Sequence, residues 1–150
     1  MHYLIKPWSL NLISDCARIA AAASGAKAWH YDEYLSSFQV GHSGLIVSYQ
    51  DQAVGCLIAQ HLFETVDLLD IQIRPSFQGL GAAKVLLEAL KATCQETAVV
   101  HIMLEVRQSN ARAIAFYSKF GFKIIHIRKA YYASKGNRTA EDAIIMQCKI

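Results

Sequence analysis

A chain of 150 residues that is 53% hydrophobic and 18% charged has the composition of a globular protein with a large core, which argues against long disordered stretches. At this length one domain is expected, burying roughly 68–70% of its unfolded surface. The net charge of +3 suits anionic ligands, but lysine and arginine are not clustered as in a nucleic-acid module, so no direct nucleic-acid partner is expected.

No apolar run reaches ~18 residues, and the opening MHYLIKPWSL lacks the basic-then-apolar layout of a signal peptide; the expectation is a cytoplasmic protein, a monomer with no membrane partner. His2 to Lys6 alternates as a first strand closed by Pro7, and Ser9 is placed to cap a helix. Leu10, Ile13, Ala17, Ala20 and Ala21 recur at helical spacing, and Gly25 supplies a stop. A short second helix is predicted over Tyr31 to Phe38. Trp29 lies just before it, where it would either pack between the two helices or touch a substrate. Gly44 to Tyr49 and Ala53 to His61 read as strands joined by Gln50-Asp51-Gln52, with Glu64 to Asp67 making the next turn.

Cys16, Cys56, Cys94 and Cys148 are far apart, with no CxxC pair and no histidine at ligand spacing. Two disulfides are conceivable, but four buried free thiols fit a cytoplasmic chain better. The six histidines are scattered, so no metal is assigned.

The most informative stretch is Asp70 to Leu90, DIQIRPSFQGLGAAKVLLEAL. Asp70 to Ile73 has strand character and Arg74-Pro75 ends it. Gln78 to Ala83 reads QxxGxA, after which Ala82, Leu86 and Leu90 share one helix face while Lys84 and Glu88 form a solvent pair. The first N–H groups of such a helix lack partners and sit at the positive end of its dipole, an anion site suited to a pyrophosphate. Gly81 and Ala83 are small enough for phosphates to approach the main chain. The spacing matches neither a P-loop nor a Rossmann fingerprint.

Val99 to Arg107 is a strand with unequal faces: Val100, Ile102, Leu104 and Val106 point toward a packed layer, and His101, Met103, Glu105 and Arg107 point away. Ser109-Asn110 caps a helix through Phe120, with Gly121 as its C-terminal glycine. Phe122 to Arg128 and Ala143 to Lys149 complete the chain as two antiparallel strands, joined by the polar segment Ala133 to Thr139. The resulting fold class is α/β (α+β), a mixed and mostly antiparallel sheet with helices packed on it.

QxxGxA between strand and helix, followed by LEVRQSNARAIAFYSKFGF from Leu104 to Phe122, resembles the GCN5-related N-acetyltransferase (GNAT) family. Within it, the LEVR and SNxxAxxxYxxxGF wording, Tyr131-Tyr132 and EDAIIM at Glu141 to Met146 are similar to the bacterial ribosomal-protein-alanine N-acetyltransferases of the RimI type. The similarity runs from Leu69 to Met146, about half the chain, and the first 60 residues match in layout only.

The resemblance implies helices on both faces of the sheet and two central parallel strands, Leu69 to Arg74 and Val99 to Arg107, splayed around acetyl-CoA. Carried over by position, Ile71, Gln72 and Ile73 would give main-chain contacts to the acetyl and pantetheine groups. Gly79, Leu80, Gly81, Ala82, Ala83 and Lys84 would cradle the pyrophosphate, and Asn110 would also touch CoA. The family's usual second glycine is Ala83 here and its common arginine is Lys84, changes that keep a small residue and a positive charge. Glu105 falls at the general-base position and Tyr117 at the general-acid position.

The implied reaction is direct transfer of acetyl to the N-terminal α-amine of a protein, alanine of ribosomal protein S18. Alternatives are a lysine or small-amine acceptor, or an acyl-CoA-binding sensor without chemistry. Proton affinities favour the α-amine: at ~8 it is about 1 unit above neutral pH, whereas a lysine amine at ~10.4 is over 3 units above. Tyr117 is protonated at neutral pH and can supply the leaving thiolate, but a phenol near 10 and a thiol near 8.5 make the unshifted transfer uphill by roughly 2 kcal/mol. The site must lower the tyrosine pKa or couple the steps. Glu105 could instead be a solvated residue paired with Arg107 or Lys123, and Tyr117 a packing residue. For the acceptor, Tyr132 and Tyr131 are candidates for an entrance wall, and Glu141 or Asp142 for attraction of a basic peptide.

Overall fold

Successive residues of the central strands go to opposite cores, as a period of two requires. In the computed structural model, which describes residues 1–132 and 140–150, Ile46 and Ile58 belong to one buried cluster while Val47 and Leu57 belong to the other. The strands are β1 (Tyr3–Pro7), β2 (Ser43–Tyr49), β3 (Gln52–Leu62), β4 (Thr65–Ile73), β5 (His101–Arg107), β6 (Lys123–Tyr132) and β7 (Glu141–Lys149). They form one sheet in the order β1-β2-β3-β4-β5-β7-β6, in which only β4 and β5 run parallel.

Helices α1 (Ile13–Ser24) and α2 (Tyr31–Gln39) cover one face, placing Ile13, Cys16, Ala20 and Tyr34 against Ile46, Cys56 and Ile58. Helices α3 (Ala82–Gln95) and α4 (Ala111–Phe120) cover the other, where Leu86, Leu87, Leu90 and Tyr117 join Val47, Leu57, Ile102 and Leu104. Leu86 and Leu87 are fully buried, each contributing about 1.5–3 kcal/mol by removal from water. All four cysteines are free and buried. No helix among the described residues is long and apolar enough to cross a membrane.

Several local expectations change. Ser9 makes no cap: its hydroxyl bonds the Asn11 side chain, and a short 3-10 turn, Leu10–Leu12, precedes α1. Glu64 to Asp67 is not a turn, because Thr65 to Asp67 already belong to β4, where β3 and β5 flank them. The β-branched Thr65 and Val66 suit that two-sided position. Val100 does not face the packed layer but is exposed, since β5 begins one residue later. Strand β6 extends to Tyr132, beyond the expected Arg128. The expected connection Ala133 to Thr139 lies outside the described residues.

The feature that positions the site is the end of the β4–β5 ladder. It runs from Thr65↔His101 to Leu68↔Leu104 and no further, although β4 stays paired with β3 as far as Ile73 and β5 with β7 as far as Arg107. On the β3 side, Ile58 pairs with Asp70 and Ala59 with Leu68, so Leu69 is an extra, bulged residue. A bulge bends its strand and increases local twist, and here it coincides with the departure of β4 from β5.

Candidate active site

Two adjoining clefts lie at the fork between β4 and β5, one within it and the other on the sheet face beside it. One, of 210 Å³, is lined by residues that include Asp70, Ile71, Asn110, Ala113 and Tyr117. The other, of 440 Å³, is lined by residues that include Asp67, Met103, Arg128 and Ile145. Leu68, Leu69, Leu104, Glu105 and Tyr132 line both, which sets Glu105 at the junction. Of the sequence-predicted residues, the fork thus brings together Ile71, Glu105, Asn110, Tyr117 and Tyr132. Trp29, Tyr131 and the Gly79 to Lys84 turn do not line either cleft.

Past Leu68 the edge of β4 that faced β5 has no strand beside it, leaving main-chain groups of Leu69 to Ile73 for a ligand. The side chains there are otherwise engaged. Ile73 is buried in the core, and Gln72 donates to Asp70 Oδ1 (2.8 Å) and accepts from the Ser24 hydroxyl (2.8 Å).

The glycine turn is held on three sides. Gln78, the first residue of QxxGxA, donates to Ile73 O (3.1 Å) and accepts from Arg112 of α4 (3.3 Å), while the Tyr3 hydroxyl donates to Leu80 O (3.0 Å). Gly81 is the N-cap of α3 at φ +89°, a conformation that costs a side-chain-bearing residue about 1–2 kcal/mol. The first helical bond of α3 is Val85 N to Gly81 O (3.1 Å), so the N–H groups of Ala82, Ala83 and Lys84 precede it without helical partners. A Cβ on Gly79 or Gly81 would meet nothing within 4 Å; the space beside the turn is open. Ala82 is buried through its side chain and offers a ligand only its main chain. Lys84 pairs with Glu88 (3.8 Å) on the outer surface of the helix.

Glu105 pairs neither with Arg107 nor with Lys123. Its Oε1 lies 2.9 Å from Arg128 Nη1. Across β7, Glu105 stands level with Ile145 and His126, with Arg128, opposite Ala143, and Lys123, opposite Gln147, on either side of that row. Arg107 instead pairs with Glu141 (3.3 Å) and stacks 4.0 Å from the centre of the Tyr132 ring. Asp142 pairs with Lys129 (3.2 Å) and accepts from Ala130 N (2.8 Å). Glu141 and Asp142, expected to attract a peptide, are therefore engaged within the chain.

Tyr117 is 7% exposed, its ring packed by Phe116 and Phe122 at centroid distances of 5.5 and 5.6 Å. Burial pushes its phenol well above the ordinary value, and the negative charge of Asp70 adds to the rise. On Tyr132 the same burial effect acts, with Glu105 as the next contributor. Asn110 accepts from Ala113 N (3.2 Å) through Oδ1; capping leaves its amide N–H₂ free to donate. Trp29 packs against Tyr34, ring centres 5.2 Å apart, in the cluster beneath α1 and α2. Sequence reasoning did not single out Asp67, Asp70, Met103, Arg128 or Ile145. Asp70, an acid within an apolar strand, was the one with a visible signal.

The model of the acetyltransferase (GNAT) family matches residues 11–122. The chain belongs to that family. The match reaches well before Leu69, so the N-terminal part shares more than layout. Among curated relatives, the chain is 36% identical over 119 residues to the [ribosomal protein bS18]-alanine N-acetyltransferase of Haemophilus ducreyi, spanning 79% of this chain and 81% of that one. It is 34% identical over 122 residues to the protein of the same name from Salmonella typhimurium, 81% of each chain. The crystal structure of the ribosomal-protein-S18-alanine N-acetyltransferase from Escherichia coli has a TM-score of 0.90 at 28% identity, covering 99% of this chain and 94% of that one.

Membership makes the protein an acetyltransferase that uses acetyl-CoA as donor. The residues present fit that molecule: an unpaired strand edge for the amide-rich arm, and an open turn of small residues with free N–H groups for the diphosphate.

Proposed function

We propose that the protein acetylates the α-amine of a protein N-terminus that begins with alanine, a ribosomal protein being the acceptor, with Glu105 as general base and Tyr117 as general acid. The observation carrying this reading is the fork itself, whose connected clefts put Glu105 of β5 and Tyr117 of α4 on one continuous surface beside the free edge of β4. The names of the relatives supply the acceptor.

Acetyl-CoA supplies an activated thioester carbonyl. The N-terminal amine arrives mostly as ammonium, and Glu105 takes its proton. Because the ion pair with Arg128 runs through Oε1, Oε2 is the oxygen that accepts. At neutral pH this deprotonation costs about 1.4 kcal/mol for an α-amine of pKa ~8, against more than 4 kcal/mol for a lysine at ~10.4. The neutral amine would then form its bond to the carbonyl carbon as the carbon–sulfur bond breaks; the Tyr117 hydroxyl would give its proton to the departing sulfur, and the second proton shed by the nitrogen as it becomes an amide would restore the phenol. Tyr132 closes the junction beside Glu105, its ring held by Arg107; a wall there favours a small first side chain.

Glu105→Gln keeps shape and removes the base. Turnover of an alanine-starting peptide is expected to fall by roughly 10- to 10⁴-fold, with acetyl-CoA affinity within about twofold. Turnover near the wild-type value would overturn the base assignment.

A further inference from the structure

Asp70 is the second residue of β4 beyond its ladder with β5 and directly follows the bulged Leu69. Its carboxylate accepts the hydroxyl of Tyr34, from α2, on Oδ2 and the amide of Gln72 (2.8 Å) on Oδ1. Gln72 in turn accepts from Ser24, the last residue of α1 (2.8 Å). One chain of side-chain hydrogen bonds thus ties α1 and α2 to β4 at the point where the strand swings away from its parallel neighbour. Tyr34 is fully buried, in an apolar cluster with Trp8, Ile46 and Ile58.

A carboxylate is an expensive occupant of such a place. Burial pushes the Asp70 carboxyl up, against the bonds from Tyr34 and Gln72, and the nearby Glu33 adds to the rise. Cys56 of β3 and Tyr117 across the cleft both feel its charge. An apolar side chain would fill the same volume at lower cost, so the reason for the acid lies in what it holds. Beyond Leu68 only β3 pairs with β4; a second anchor, to the helical layer, fixes the strand against relaxing toward β5 and narrowing the fork.

We propose that Asp70, clamped by Tyr34 and Gln72, is a positioning residue: it fixes the free main-chain edge of Ile71 to Ile73 where the thioester arm of acetyl-CoA is received. This rests on the reading that this edge receives that arm, while the diphosphate is held separately at the Gly79 to Lys84 turn. A positioning role therefore affects one end of the ligand and spares the other.

The test compares wild type, Tyr34→Phe, Asp70→Ala and Asp70→Asn for binding of acetyl-CoA by calorimetry and of ADP, which has the diphosphate but no arm, by NMR titration. Tyr34→Phe and Asp70→Ala are expected to weaken acetyl-CoA binding at least fivefold, with ADP within twofold of wild type and the acetyl-CoA KM raised more than kcat is lowered. Asp70→Asn, which still accepts from Gln72 and can pair with the Tyr34 hydroxyl, should recover at least half of the affinity lost in Asp70→Ala. Equal weakening of both ligands, or no weakening of either, overturns the proposal. Should Asp70→Ala fail to fold, Tyr34→Phe, which deletes a single hydroxyl, decides the matter. Wild-type protein that binds ADP but not acetyl-CoA would overturn the thioester-edge reading itself, whereas intact wild-type binding that is indifferent to the substitutions overturns only the role of Asp70.

Discussion

Tyr117→Phe removes one hydroxyl from a ring that stays packed by Phe116 and Phe122, so folding should survive and the chemistry alone should change. The structure narrows what the hydroxyl can do. With ordinary values, full transfer of a proton from phenol to thiolate is uphill by about 2 kcal/mol, and the burial and Asp70 charge that push the phenol up enlarge that gap. Of the two routes open in the sequence, this upward direction runs against a lowered tyrosine pKa and favours coupling. In the proposed role, the phenol would donate a hydrogen bond to the sulfur as charge builds, with the proton crossing only as the carbon–sulfur bond breaks. A hydrogen bond to a developing anion contributes about 1.5–3 kcal/mol, corresponding to a loss of roughly 10- to 150-fold in kcat for Tyr117→Phe. The assay is steady-state turnover at saturating acetyl-CoA and peptide, from pH 6 to 10, beside calorimetric acetyl-CoA affinity. An ordinary phenol is about half ionised at pH 10, whereas the raised one stays protonated, so wild-type kcat should show no alkaline limb belonging to Tyr117 through pH 10. Turnover in the variant within twofold of wild type would overturn the role of Tyr117 as donor, and an alkaline limb below pH 10 that the variant abolishes would overturn the raised phenol.

The turn and the start of β7 give two further expectations. Gly81→Val sets a branched side chain at φ +89°, in the open space beside the free N–H groups of α3; acetyl-CoA affinity by calorimetry should fall at least tenfold, about 1.4 kcal/mol, with a lower melting temperature from about 1–2 kcal/mol of backbone strain. Unchanged affinity would sink the anion-turn assignment. Glu141 is held below the usual carboxylate range chiefly by Ser109, with help from Arg107, and Asp142 by the Ala130 N–H and Lys129. Folded-state values below the unfolded ones mean stabilisation that is complete above about pH 4–5 and lost as pH falls further. Hydrogen-exchange protection of the Ser109 and Ala130 amides, which donate to these carboxylates, should thus hold from pH 7 to 5 and drop at pH 3; protection unchanged at pH 3 would contradict the assignment.

The strands and helices were legible where period, cap and breaker agreed. Pro75 after Ile73, Gly81 before Ala82, Asn110 before Ala111 and Gly121 after Phe120 are each a single residue enforcing a backbone state. The proposed cofactor side of the site rests on those same positions. Legibility ended where the answer depended on strands distant in sequence. Insertion of β7 between β5 and β6 leaves no local trace, yet it sets β6, with Arg128, across from Glu105. The bulge at Leu69 likewise depends on the register with β3, and through it Asp70 is presented to Tyr34 instead of to solvent. Glu141 and Asp142 looked free because their partners Arg107 and Lys129 lie 34 and 13 residues away. Ser9 shows the reverse failure, a good capping residue whose hydroxyl found the side chain of Asn11.

Acceptor choice is decided by a competition in one tube, with acetyl-CoA limiting, among a peptide that begins with alanine, the same peptide with a blocked N-terminus and a free internal lysine, and spermidine, with the acetylated position located by mass spectrometry. Acetyl is expected on the α-amine of the alanine peptide, in excess over both competitors and growing more slowly with Glu105→Gln. Acetyl accumulating first on the internal lysine or on spermidine would overturn the assignment of an N-terminal α-amine as acceptor.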